Sequence, residues 1–236
     1  MLRRQWLSCL AAAVGCGLGL VGSAWGQSTP IAASGWNRDI VVESTATNPY
    51  SGFAQSFDTF NNWSWYERGT GTSTKGLPIG GTFTSVSDAT IQGQFQPYNG
   101  NNALFLDVNA PTGTLTVDVA GRRPYEVLVI FASSSNQGGT GTMVVHFTDG
   151  TSSSSINFNA QDWFNVTTNN ALNNLGRVSL TGDNFDEASS GNPRIYQTVV
   201  DMVALGLNTR AVESITFTKP NVGGAAQNTV IMGISG

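Results

Sequence analysis

Residues 141–164 read GTMVVHFTDGTSSSSINFNAQDWF, and no other stretch constrains the fold as tightly. Met143, Val145 and Phe147 alternate with Val144, His146 and Thr148; Asp149-Gly150 interrupts; Ile156 and Phe158 then alternate with Asn157 and Asn159. A repeat of two is that of a strand. An Asp-Gly pair between two such runs marks an antiparallel hairpin, because glycine accepts the positive φ that the turn needs. One side of this hairpin is apolar and the other polar, so it must lie on a core with its outer side wet.

Further strand patterns occur at 38–43, 82–84, 90–95, 103–106, 114–119, 195–202, 212–217 and 230–234. Residues 125–132, YEVLVIFA, form a nearly continuous apolar, β-branched run. That pattern predicts a central strand covered on both sides. Phe53, Phe57 and Phe60 recur at helical spacing, and 169–175 reads as one helical turn. The closing strand predicts a C-terminus paired inside a sheet, near the first strand. At least eight strands without βα alternation predict an all-β fold: a two-sheet antiparallel β-sandwich or jelly roll with short helical turns. An up-and-down barrel ranks second. Long polar loops and the lack of a regular aromatic girdle argue against an outer-membrane barrel.

The first 26 residues stand apart. Arg3 and Arg4 precede an apolar run that begins at Trp6, and Ala24 and Gly26 occupy the −3 and −1 positions of a cleavage site before Gln27. This is the pattern of a secretory signal, with an uncleaved anchor as the alternative. Residues 27–36 are then a flexible leader, and 37–236 a single sandwich domain secreted to the extracellular space or periplasm. Cys9 and Cys16 leave with the signal. The mature chain therefore has neither disulfide nor thiolate ligand, and burial alone must hold it. The whole chain carries −4; without Arg3 and Arg4, nine Lys and Arg stand against fifteen Asp and Glu, a net of −6. No basic stripe points to nucleic acid, and no apolar segment after the signal points to a membrane span. Sparse charge with abundant Gly, Ser, Thr and Asn fits equally a surface that meets neutral polar partners such as glycans and the plain solvated surface of a structural or adhesive extracellular protein without a small ligand. Nothing in the pattern specifies an oligomeric state.

Three stretches taken together carry a resemblance: 99–106 (NGNNALFL), the hairpin FTDG at 147–150 with Asp162-Trp163-Phe164 downstream, and 191–197 (GNPRIYQ) followed by 212–217 (VESITF). Their order resembles the galactose-binding-like jelly-roll domains of secreted bacterial proteins, over residues 53–236. The resemblance implies non-catalytic recognition of a glycan or cell-surface polysaccharide, often with a structural calcium. The sequence departs from the members sorted to the cell surface, which end in a Pro-Glu-Pro signal with a hydrophobic helix.

The residues themselves supply a candidate site. Sugars offer apolar C–H faces to aromatic rings and hydroxyls to amides and carboxylates. Trp63, Trp65 and Tyr66, beside Asn61, Glu67 and Arg68, provide that mixture; the competing reading is that these large rings fill the core. Asp183, Asp186 and Glu187 are candidate calcium ligands, since calcium takes carboxylate and carbonyl oxygens. Arg194 is expected to pair with one of them, Asp162 to cap the turn after it, and Trp163 to plug an end of the sandwich. Catalysis is not expected. His146 is the sole histidine, on the polar side of its strand and without a strained nucleophile turn. A lone histidine without cysteine also excludes a histidine-rich zinc site within one chain. Paired carboxylates drawn from Glu67, Asp162, Asp183, Asp186 and Glu187 are the remaining enzymatic option.

Overall fold

The computed structural model describes residues 27–165 and 168–236; the export signal expected in 1–26 lies outside the described residues. Five short strands come first: β1 (Ala33–Ser34), β2 (Val41–Val42), β3 (Trp63–Tyr66), β4 (Thr82–Thr84) and β5 (Gln92–Gln94). Next come β6 (Leu104–Leu106), β7 (Thr112–Val117), β8 (Val127–Ser135), β9 (Gly139–Phe147) and β10 (Ile156–Ala160). The rest are β11 (Asn170–Leu172), β12 (Arg177–Ser179), β13 (Phe185–Asp186), β14 (Ile195–Asp201), β15 (Val212–Thr218) and β16 (Asn228–Ser235).

The fold is all-β, a sandwich of two antiparallel sheets. The front sheet runs β1-β7-β15-β9-β10 and the central sheet β11-β14-β8-β16-β6. Through β6, β7, β8 and β9 the chain changes sheet at every step, stays in the front sheet for β10, and alternates again through β14, β15 and β16. That winding is a jelly roll. Leu115, Met143, Val145, Phe147, Phe158, Ile215 and Phe217 of the front sheet meet Leu104, Leu128, Ile130, Val200 and Ile231 of the central one.

Strand β8 lies between β14 and β16. Its Leu128 and Ile130 face the front sheet, while Val129 and Phe131 face the opposite way, into a second core. The double-sided apolar run of the sequence is thus covered twice. The second cover is a back layer, made of a four-stranded sheet ordered β13-β12-β3-β2 and the pair β4-β5. It brings Val41, Phe57, Trp65, Phe83 and Phe95 onto the central sheet.

The organising hairpin is β9 and β10. Phe147 and Thr151 close its turn, with Gly150 at φ 80°. Ser153 pairs with Val145, but Ile156 pairs with Met143, so the register advances by one residue within the serine run. Without that slip Ile156 and Phe158 would face water. Gly141 sits opposite Phe158, and a Cβ there would fall 2.4 Å from the Phe158 ring and 2.8 Å from the Thr218 carbonyl oxygen.

Two local expectations are corrected. Residues 170–172 form β11 rather than a helical turn, because their backbone finds partners at Tyr196 and Ile195. Helical spacing at Phe53, Phe57 and Phe60 yields only a 3-10 turn at Tyr50–Gly52; Phe57 is buried and Phe60 is 73% exposed. The expected leader at 27–36 is also paired: Thr29 and Ile31 bond to Gly236 and Ile234, and β1 pairs with β7. The final strand β16 lies between β8 and β6, so the C-terminal strand is paired inside a sheet as expected, and the segment beside its end is 29–31. Among the described residues no helix is long and apolar enough to cross a membrane.

Gly141→Ala should destabilise the protein by about 1–3 kcal/mol in urea unfolding, through overpacking. Adding Phe158→Leu should recover part of that loss.

Candidate functional site

Strand β3 carries the aromatic segment. Extended backbone places Trp63 and Trp65 on one side and Tyr66 on the other, and both sides are covered. Trp65 is fully buried. Its ring stacks on Phe57, with centroids 6.0 Å and planes 18° apart, and meets Trp163 edge-on at 4.9 Å. Tyr66 is buried on the far side with Val42, Tyr50 and Val178, and its hydroxyl donates to Glu187 Oε1 at 2.6 Å. Trp63 is half-buried. The Arg177 guanidinium lies 4.4 Å from its ring and 4.4 Å from that of Phe164, while Asp186 holds Arg177 at 2.9 Å.

The rings expected to stack on sugar are therefore taken up by packing. Glu67 is buried too, and its oxygens accept from the Ser44 and Gly80 amides at 2.9 Å each. Of the six candidates only Asn61 and Arg68 are exposed; Asn61 Nδ2 donates to Asp58 Oδ2 at 2.8 Å. Trp163 plugs the second core, behind the central sheet, rather than an end of the sandwich. Asp162 does cap the turn after it, accepting from the Phe164 amide at 2.9 Å.

The three acids read as calcium ligands do not converge. Asp183 Oδ1 accepts from the Tyr50 amide at 2.8 Å, and Asp186 pairs with Arg177. Glu187 accepts from Tyr66, from the Thr74 amide and hydroxyl, and from the Lys75 amide. Burial alone would raise the Glu187 carboxyl, but these bonds together hold it below its ordinary range. No group of three or more His, Cys, Asp or Glu side chains is arranged for a metal among the described residues. Arg194 pairs with none of the three; it donates to the Asn165 carbonyl at 2.9 Å and to Asn192. Among the described residues His146 meets only hydroxyls, Ser152 at 2.8 Å and Thr216 at 2.9 Å. A carboxylate to orient the ring, as a relay requires, is not bonded to it.

What the structure assembles instead is a groove of about 480 Å³, where the edge strand β10 of the front sheet meets β14 of the central sheet. That volume falls in the range of small-ligand sites. Its polar lining is Thr140, Asn157, Asn159, Asn169, Gln197 and Thr198, with the exposed Val199 as apolar surface and Phe158 bordering it while turned into the core. The Asn159 amide donates to Thr198 Oγ1 at 2.7 Å and stitches the two sheets together. Gln197 donates its backbone amide to the Asn169 carbonyl at 2.8 Å. Its side chain is 5% exposed, yet Oε1 is buried with no hydrogen-bond partner among the described residues. A buried amide oxygen without a donor is costly, and the register puts this side chain opposite Phe131, on the back side of β14. The alternation around Phe158 already marks Asn157 and Asn159 as a polar side; only the meeting of β10 with β14 puts Gln197 beside them.

No protein-family model matches this chain, and no curated protein matches its sequence. Among solved structures, a chain from the structural and functional characterization of Pseudomonas aeruginosa AlgX is similar with a TM-score of 0.32 and 7% identity, covering 56% of this chain. This chain spans 25% of that one's length, and so slight a likeness bears on neither fold nor function.

Two outcomes follow from these surroundings. Trp65→Ala should cost about 3–5 kcal/mol in chemical denaturation, as for a core aromatic. Asp39 is half-buried beside Asn102, and burial pushes its carboxyl up to about 6 despite bonds from the Val41 amide and Asn102 Nδ2. A raised pKa favours the folded protein while Asp39 is protonated, so this contribution is present below about pH 4 and lost as pH rises through about 6. Asp39→Asn removes the charge and keeps an acceptor. Its melting temperature should exceed the wild type's at pH 8 and match it near pH 4.

Proposed function

We propose that this protein is a non-catalytic carbohydrate-binding domain of the galactose-binding-like jelly-roll kind, exported and acting at or outside the cell surface. The observation that carries the reading is the uncharged groove between β10 and β14, lined by amide and hydroxyl residues that include Asn157, Asn159, Thr198 and Gln197. Amides and hydroxyls both donate and accept, which suits the hydroxyls of a neutral sugar. Val199 offers apolar contact to a C–H face; it is 46% exposed. No carboxylate is among the described residues that line the groove, which favours binding over the paired-acid chemistry of glycoside cleavage. Binding without turnover is the chemistry such a lining supports. The calcium that the resemblance implies has no assembled site at Asp183, Asp186 and Glu187, so the proposed sugar binding does not call on it.

A glycan-binding screen of the purified protein, with calcium and with chelator, tests this. Neutral glycans should bind equally in both. Asn157→Ala should weaken binding about tenfold, the loss of one or two hydrogen bonds, without lowering the melting temperature. A protein that binds no glycan, or whose binding ignores Asn157, would overturn the reading.

A further inference from the structure

The groove opens onto a longer polar surface. On the outer face of the front sheet Thr112 stands opposite Thr218, Thr218 opposite Thr142, and Thr142 opposite Asn157. This row crosses four strands, about 14 Å at ordinary strand spacing, and its last member also lines the groove. Beside it Thr114 stands opposite Thr216, which faces Val144. The hydroxyls of Thr112 and Thr218 lie 3.3 Å apart, and those of Thr114 and Thr216 lie 2.9 Å apart. No charged side chain belongs to these rows. The nearby Glu213 falls at a register shift in β15 and is paired with Arg122 at 2.9 Å.

Resting on the glycan reading above, we propose that the groove and the threonine rows form one track for an internal stretch of an uncharged polysaccharide chain, rather than a pocket for a single sugar or a chain end. Three observations meet in this proposal. The row is longer than one sugar ring and runs into the groove without interruption. Each threonine pairs a hydroxyl, able to donate and accept, with a methyl that touches sugar C–H groups. The absence of charge removes both the partner an acidic polymer would need and the cost of covering an ion. Sheet twist, roughly 20–25° from strand to strand, bends the rows, so a flexible chain follows them better than a flat crystalline surface would.

The test is affinity against chain length, by calorimetry, with galacto-, gluco- and manno-oligosaccharides from dimers to hexamers, the matching polymers, and polygalacturonate as the acidic counterpart. Affinity should rise about tenfold or more from dimer to hexamer in the series that binds, and polygalacturonate should not compete. Thr142→Lys and Thr218→Lys should weaken hexamer binding more than dimer binding, whereas Asn157→Ala should weaken every length. Ile79→Lys, on the back layer side, serves as the charge control and should change nothing. If no glycan of any length binds, the glycan reading falls and the track with it. If dimers bind as tightly as hexamers, if the lysine variants keep the full gain with length, or if polygalacturonate competes equally, the track alone falls and a local glycan site remains.

Discussion

A strand that is apolar on both sides has to be buried twice, and the architecture of this protein answers that demand. In β8, Leu128 and Ile130 go one way and Val129 and Phe131 the other. Its neighbour β16 repeats the division, with Ile231 and Ile234 toward the front sheet and Val230 and Met232 toward the back. No disulfide is available to the chain after residue 16, so stability rests on filling both spaces. Where β8 turns polar, its buried end is hydrogen-bonded rather than left open. Ser134 Oγ lies 2.7 Å from Thr229 Oγ1, which also accepts from Gln227 Nε2 at 2.7 Å, and Asn228 Nδ2 donates to the Phe57 carbonyl at 3.0 Å. The last of these bonds ties the central sheet to the back layer at the same point where Phe57 enters the second core.

This double cover decides the fate of the aromatic segment. The front sheet satisfies one side of β8; something of equal bulk must satisfy the other. The segment from Phe53 to Tyr66 is the richest supply of rings outside the sandwich strands, and its Phe57, Trp63 and Trp65 go there, while Phe53 and Tyr66 pack in a cluster behind it. Trp65, Phe57 and Trp163 interlock edge to face and face to face, an arrangement ring quadrupoles favour. Once the rings are used in this way, the carboxylates nearby become fasteners. Glu67 and Glu187 each accept backbone amides from loops of the back layer, holding together short strands that pair with few residues of their own.

How much of this was legible in the sequence divides along the range of the interaction. The hairpin, the strand pattern, the doubly covered β8 and the paired C-terminus are written in alternation and in a turn dipeptide, both local signals. The side of His146 opposite Met143, Val145 and Phe147 is equally local. Asn170–Leu172 failed to read as a strand because only two residues of β14 make it one. Whether Trp65 faced sugar or core was a question about a partner surface. The decisive hint was present in residues 125–132, whose second apolar side required a cover that the sequence did not otherwise name. The groove could not be read at all, because Asn157 and Gln197 lie far apart in the chain and meet only across two sheets.

The position of the groove follows from how sheets end. A sandwich can bury the faces of its strands but not their edges, and among the described residues β10 has no strand partner on the side away from β9. The Asn159 amide donates to Thr198 Oγ1 and joins that edge to β14, and just beyond β10 the Ser134 amide of β8 donates to the Gln161 carbonyl. Along the rest of the seam polar side chains occupy the space where further pairing would have closed it. Packing alone would favour apolar residues at such a seam, as at Phe158 and Ile156 just inside. Asn157, Asn159 and Gln197 sit there instead, and the side-chain oxygen of Gln197 is left buried and unbonded. A fold held together by burial gains nothing from that placement by itself, so the polar seam is where packing yields stability to an open edge.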